Sequence, residues 1–143
     1  SAFPDDLSHS ISFYPYCAGN RDTVDARGLV FKTWPSLLRI AKLESVALVK
    51  MDIEGYEFIL LDAIMASPPC LRPQQIAVEI HLTTAMQGIP IFHGRRRSNP
   101  LPPTAVVKLM KTMFDSGYMI LDRHDNPYCP HCSEIVLGKV LCI

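Results

Sequence analysis

Val46-Ala47-Leu48-Val49-Lys50-Met51-Asp52 is almost wholly apolar, and so continuous a run suits a strand covered on both faces, as in a parallel sheet. From Gly55 the apolar spacing changes. Tyr56, Ile59, Leu60, Ala63 and Ile64 fall on one helical face, with Glu57 and Asp62 off it. Pro68-Pro69 ends that helix. Ile76-Ala77-Val78-Glu79-Ile80-His81 is a second short apolar run. Strand, helix, strand over this distance make a βαβ unit, whose crossover is expected to be right-handed. The expected class is α/β.

The flanking segments fit this class. Ile11 to Tyr16 alternates apolar and polar residues up to a turn at Gly19-Asn20, predicting a strand that Pro15 places at an edge. Thr33-Trp34-Pro35 followed by Leu37, Ile40 and Ala41 predicts a helix from about Pro35 to Leu43. Residues Gln87 to Pro103 are polar, basic and proline-rich, too long for an ordinary connection, and so read as a lid, a binding loop or a disordered insert. Val106, Leu109, Met110, Met113 and Phe114 then form one face of a helix, with Gly117 where a C-terminal cap belongs. Tyr118 to Leu121 and Ile135 to Leu141 read as strands joined by a turn-rich bend from Asp125 to Pro130, hence as antiparallel neighbours. Trp34, Met110 and Met113 are read as core.

With 143 residues the chain holds one domain, and 48% apolar composition excludes general disorder. Fourteen basic and fourteen acidic side chains cancel, which removes the electrostatic footprint of a nucleic-acid binder or a polybasic membrane sensor. Lys50 and Asp62 interrupt the two most apolar stretches, so no membrane span is expected. Ser1 to Asp6 lacks the basic start and apolar segment of a signal peptide, and with no initiator Met the sequence is expected to begin inside something longer. Five cysteines, an odd number at irregular spacing, do not make a disulfide scaffold.

In open α/β sheets ligands sit beyond the carboxyl ends of the strands. Two strand ends here are polar: Asp52-Ile53-Glu54-Gly55 and Glu79-Ile80-His81. Within a strand, Asp52 and Glu54 face the same way, as do Glu79 and His81, so all four can share one rim. Gly55 lets the backbone turn tightly into its helix, whose N-terminus favours Glu54. Such a rim can act as a general base or ligate a divalent ion. The plainer alternative is that Asp52 or Glu54 caps the helix and His81 is a satisfied, half-buried imidazole.

Val49-Lys50-Met51-Asp52-Ile53-Glu54-Gly55-Tyr56-Glu57, followed by a helix and then by Val78-Glu79-Ile80-His81, resembles the signature of FkbM-type and related methyltransferase-like proteins. The Gly117-Tyr118 step and the Cys129-Pro130-His131-Cys132-Ser133-Glu134 run are similar to the eukaryotic branch, and the likeness spans about Ile11 to Val140. The resemblance implies a Rossmann-like class-I methyltransferase sheet ending in an antiparallel strand pair. It also implies transfer of a methyl group from S-adenosylmethionine to an oxygen, less often a nitrogen, of a small-molecule or glycan-like acceptor. By family position, Asp52 lies beside the methionine end of the cofactor and the acceptor, while Glu54 and Gly55, which shape the helix start, also belong to the cofactor-binding set. Glu79 and His81 line the acceptor side, with His81 as base. Gly19, Asn20 and Asp22 follow the strand whose end approaches the adenine.

The sequence also departs from that family. The family's opening strand with its Gly-rich turn, and the second strand ending in an acid, have no counterpart; the glycines before the signature are Gly19 and Gly28. The expectation is a single partial methyltransferase domain over residues 1–143, needing the missing N-terminal half of the domain to bind cofactor. The alternative is a non-catalytic remnant that serves as an interaction domain, through an exposed sheet edge or the basic loop.

Two motifs stay outside this reading. Cys129-Pro130-His131-Cys132 matches the tetrapeptide of strongly oxidising thioredoxin-like enzymes, but it precedes a strand where those enzymes have a helix. With His131 it offers up to three zinc ligands, and apart from nearby His124 no second pair completes a site, so no metal is assigned. An ordinary turn, with or without a local disulfide, is the plain reading. Arg95-Arg96-Arg97 can clamp a phosphate, sulfate or acidic acceptor above the site, or simply be solvated.

Overall fold

The computed structural model describes residues 11–53, 55–82, 102–129 and 132–140. Among these residues seven strands and three α-helices follow in the order β1 (Cys17–Ala18), β2 (Thr23–Val24), β3 (Val30–Lys32), α1 (Trp34–Ala41), β4 (Leu48–Met51), α2 (Glu57–Met65), β5 (Gln75–His81), α3 (Pro103–Asp115), β6 (Tyr118–Asp125) and β7 (Cys132–Lys139). A short 3₁₀ turn at Pro69–Leu71 follows α2. The chain is α/β, as its periodicities predict.

Two sheets form. The small one has the order β1-β3-β2, and the main one β4-β5-β7-β6. β4 and β5 are parallel, with Val49 opposite Ile76 and Met51 opposite Val78. β7 is antiparallel to both β5 and β6, so β6 runs parallel to β5. The βαβ unit and the antiparallel last pair are thus as expected. One side of β5 carries Ile76, Val78 and Ile80, all buried. They join Leu60, Leu61 and Ile64 of α2, Leu109 and Met113 of α3, and Ile135 and Leu137 of β7 in one core that includes Trp34.

Five expectations are corrected. Residues 11–16 are not a strand; pairing starts at Cys17, because Pro15 has no N–H to give a ladder and the Tyr16 N–H turns back to the Tyr14 carbonyl at 2.8 Å. β4 is not covered on both faces. It is an edge of the main sheet among the described residues, and Leu48 is 53% exposed. Most of the predicted proline-rich loop, residues 87–101, lies outside the described residues, but Pro103, its expected last residue, already starts α3, where its missing N–H costs nothing in the first turn; Phe114, read as part of the apolar face, is 65% exposed. β7 begins at Cys132, earlier than the predicted Ile135.

Polar anchors fix the elements. Trp34 Nε1 donates to the Leu71 carbonyl at 2.7 Å and ties α1 to the turn beyond α2. The Asp22 carboxylate accepts from the Thr33 N–H at 2.7 Å and from the Ser36 hydroxyl at 2.8 Å, capping α1 from a distant loop. The bond from the Thr33 N–H, helped by that from Ser36, holds the Asp22 carboxyl below its ordinary range.

Tyr118 is buried, and its hydroxyl donates to the Pro73 carbonyl. Burial pushes this phenol up to about 12, against a smaller opposing pull from Arg72. An unfolded tyrosine ionises near ~10, so the stabilisation is complete below that pH and is lost as pH rises towards the folded value. Tyr118→Phe is therefore expected to cost about 1–2 kcal/mol at pH 7 and to flatten the loss of stability between about pH 10 and 12. Urea midpoints at the two ends of that window test this; parallel curves for both proteins would refute it.

Candidate functional site

The carboxyl ends of β4 and β5 lie side by side because the two strands are parallel neighbours. Asp52 follows β4, and His81 closes β5. Between them the chain turns through Gly55, whose φ of 98° lies in a region that side chains with a Cβ avoid. This turn brings the start of α2 back over the strand ends.

Its first residue, Glu57, is 0% exposed. One carboxylate oxygen, Oε1, accepts from the Ile53 N–H at 3.1 Å, the Gly55 N–H at 3.0 Å and His81 Nδ1 at 2.9 Å. The other, Oε2, is buried with no hydrogen-bond partner among the described residues. Glu57 thus does two things: it closes the loop before its own helix and it orients the imidazole. On the other side of the ring, His81 Nε2 stands 3.9 Å from Asp52 Oδ1. His81 is nearly buried, whereas the Asp52 side chain is half exposed, so Asp52 forms the open lip.

Glu79 and His81 share the side of β5 opposite Ile76, Val78 and Ile80, as the two-residue period requires. Register places Glu79 opposite Glu134 and His81 opposite Cys132 on β7. Glu79 Oε1 accepts from Asn126 Nδ2 at 2.9 Å. Beyond it, Ser133 donates to Asp125 Oδ1 at 2.8 Å and Arg123 binds the same carboxylate at 2.9 Å. These two partners, Ser133 first, hold the Asp125 carboxyl below its ordinary range. Cys129 and Cys132 are joined in a disulfide, so the local bridge left open by the sequence is present.

A cavity of about 300 Å³ opens on the small-sheet side of α2, lined among others by Gly19, Asn20, Thr23, Phe31, Tyr56 and Ile59. Gly19 is buried there, and a Cβ on it would stand 3.2 Å from the Phe31 ring. Tyr56 and Ile59 set the cavity wall at the first turn of α2, the helix whose Glu57 holds His81.

The structure therefore brings Asp52, Glu79 and His81 to one rim and places Gly19 and Asn20 at a cavity beside it. Asp22 is outside the cavity lining and caps α1 instead. Glu54 and Arg95, Arg96 and Arg97 lie outside the described residues. Glu57 is the residue the helical pattern misplaces: its spacing puts it off the apolar face, yet it is fully buried. A glutamate two residues after a turn glycine, at the first position of an apolar helix, was the available signal. A scan against protein-family models and a search of curated proteins give no match for the chain.

Proposed function

We propose that this chain belongs to an S-adenosylmethionine-dependent methyltransferase domain that methylates a hydroxyl of a small-molecule or glycan-like acceptor. The observation that carries the reading is the Glu57–His81–Asp52 arrangement at the carboxyl ends of two parallel strands, where α/β sheets bind ligands. The strand order supports it. β4, β5 and β6 run parallel in the order of one half of a doubly wound sheet, with antiparallel β7 between the last two.

The residues suit the cofactor. The cavity at Gly19 and Asn20 offers the Phe31 and Tyr56 rings for a purine and polar groups for a ribose. The acidic lip at Asp52 complements a sulfonium cation. When bound, the cofactor supplies an electrophilic methyl group. The protein's own part is mainly alignment. Glu57 accepts from the Nδ1–H of His81, which fixes the tautomer in which Nε2 takes a proton from the acceptor hydroxyl. Asp52, 3.9 Å from Nε2, stabilises the imidazolium that results. Glu79, held by Asn126, lines the acceptor side.

Calorimetric titration with S-adenosylhomocysteine tests the reading. Binding by the complete protein in the micromolar range is expected, and Asp52→Ala is expected to weaken S-adenosylmethionine, which carries the sulfonium, at least about tenfold. In the complete protein, His81→Ala is expected to lower methyl transfer by about 10²–10⁴-fold, the usual worth of a general base. Equal activity with and without His81 would sink the assignment.

The open edge at β4 favours a second reading, the non-catalytic remnant. Its outer side has no pairing strand among the described residues, and such an edge accepts a strand from elsewhere. That strand can come from another part of the same protein or from another protein. A complete, folded protein that binds no S-adenosylhomocysteine at millimolar concentration would select this reading.

A further inference from the structure

The sequence offers Cys129, His131 and Cys132, with His124 nearby, and no second pair to complete a metal site; the fold brings other ligands to the two cysteines. Register sets Cys132 opposite His81, and Glu79 lies two residues before His81 on the same side of β5. The ligating atoms of Glu79, His81 and Cys132 all lie within 4.8 Å of one another, and all three residues are buried. Cys129 adds a second sulfur, bonded to that of Cys132. We propose that, once this disulfide is reduced, Cys129, Cys132, His81 and Glu79 hold a zinc-class divalent ion.

Three observations support a built site. First, the donors have outer partners of the kind metal ligands use to fix their orientation. Glu57 holds His81 Nδ1 at 2.9 Å, which directs coordination to Nε2, and Asn126 holds Glu79 Oε1 at 2.9 Å. Second, the two cysteines stay together without the S–S bond. The Cys132 N–H bonds the Cys129 carbonyl at 2.9 Å, and the Cys129 N–H bonds the Asn126 carbonyl at 3.1 Å. Third, two thiolates with one imidazole and one carboxylate are a borderline-soft set that selects zinc over magnesium or calcium. Bonds of about 2.0–2.3 Å give a tetrahedral site with edges of about 3.5 Å. The donor atoms must close in by about an ångström, within the reach of a side-chain torsion.

The chemistry balances with a dithiol as reductant. Its two thiols give up two electrons and two protons and close into a disulfide. The Cys129–Cys132 bond breaks, and each sulfur gains a proton. Metal binding then releases both thiol protons to solvent. Metal on His81 Nε2 occupies the atom that the methyl-transfer reading uses as base, so the disulfide and metal states are alternatives. The site itself does not depend on that reading.

Cobalt is the probe. The whole chain is reduced with a dithiol, freed of it by anaerobic gel filtration, and titrated with Co²⁺ beside the oxidised chain. The reduced chain is expected to take up one equivalent, with a thiolate-to-cobalt charge-transfer band and the strong visible bands of tetrahedral cobalt, both bleached by Zn²⁺. The oxidised chain, an unmutated control for the same fold, is expected to bind at least about 100-fold more weakly. Asn126→Ala is expected to weaken binding about tenfold through the freed Glu79, while Cys17→Ser/Cys70→Ser/Cys142→Ser leaves it unchanged. Equal binding by reduced and oxidised chains, no thiolate band from the reduced chain, or loss of the band in the triple serine variant would each overturn the proposal. No methyl donor is present, so this result and that of the S-adenosylhomocysteine titration fail separately.

Discussion

Glu57→Ala is expected to cost about 3–5 kcal/mol, the usual penalty for breaking a buried ionic pair by removing one partner. The side chain is 0% exposed, and its Oε1 is the shared acceptor for Ile53 N–H, Gly55 N–H and His81 Nδ1. Deleting it leaves those donors without their acceptor and a void at the start of α2. Against a total stability of about 5–15 kcal/mol for a domain of this size, this is a large fraction. Glu57→Gln keeps one acceptor oxygen but puts an amide where Oε2 has no partner among the described residues, and is expected to cost less, about 1–3 kcal/mol. Urea denaturation followed by far-ultraviolet circular dichroism measures both. An alanine variant within about 0.5 kcal/mol of the parent, the range of surface changes, would mean that Glu57 does not organise the rim.

Two neighbouring positions on β4 and β5 are expected to respond very differently to truncation. Ile76 is fully buried opposite Val49, whereas Leu48, one pair away, is 53% exposed on the sheet edge. Ile76→Ala is expected to lose about 2–5 kcal/mol, the transfer of its methyl and methylene groups plus the cavity they leave. Leu48→Ala is expected to stay within about 0.5 kcal/mol. The same urea midpoints decide the matter. If Leu48→Ala proves as costly as Ile76→Ala, β4 is covered in solution, and the edge described here is closed by another copy or segment.

That contrast marks where sequence reading stops. The apolar run from Val46 announces a strand, but apolarity states what a strand can bury, not whether a neighbour is there to bury it. Glu57 was misplaced for a related reason. Two of its three donors are backbone N–H groups at Ile53 and Gly55, which carry no side-chain signature. The helix around it is buried on more than one face, with Leu61 as deep as Leu60, so no single apolar stripe marks its inner side. Asp52, Glu79 and His81 were legible as a rim because a parallel βαβ unit sets adjacent strand ends together. Cys132 was not, because its place beside His81 depends on the β5–β7 register, between segments far apart in sequence. The two-residue period did correctly put Glu79 and His81 on one side of β5.

The position of β7 also bears on how the protein is made. It follows every other described strand in the chain yet lies between β5 and β6. A ribosome releases about 5–20 residues per second, so β5 and β6 emerge with their facing edges unpaired and wait for the strand that joins them. The main sheet waits for β7, since Gln75 must find Gly138 and Tyr118 must find Lys139 on the same late strand. Such non-local closure is slow, and the waiting edges attract other strands. Nascent chains stalled before Cys132 should therefore be the ones that chaperones hold longest.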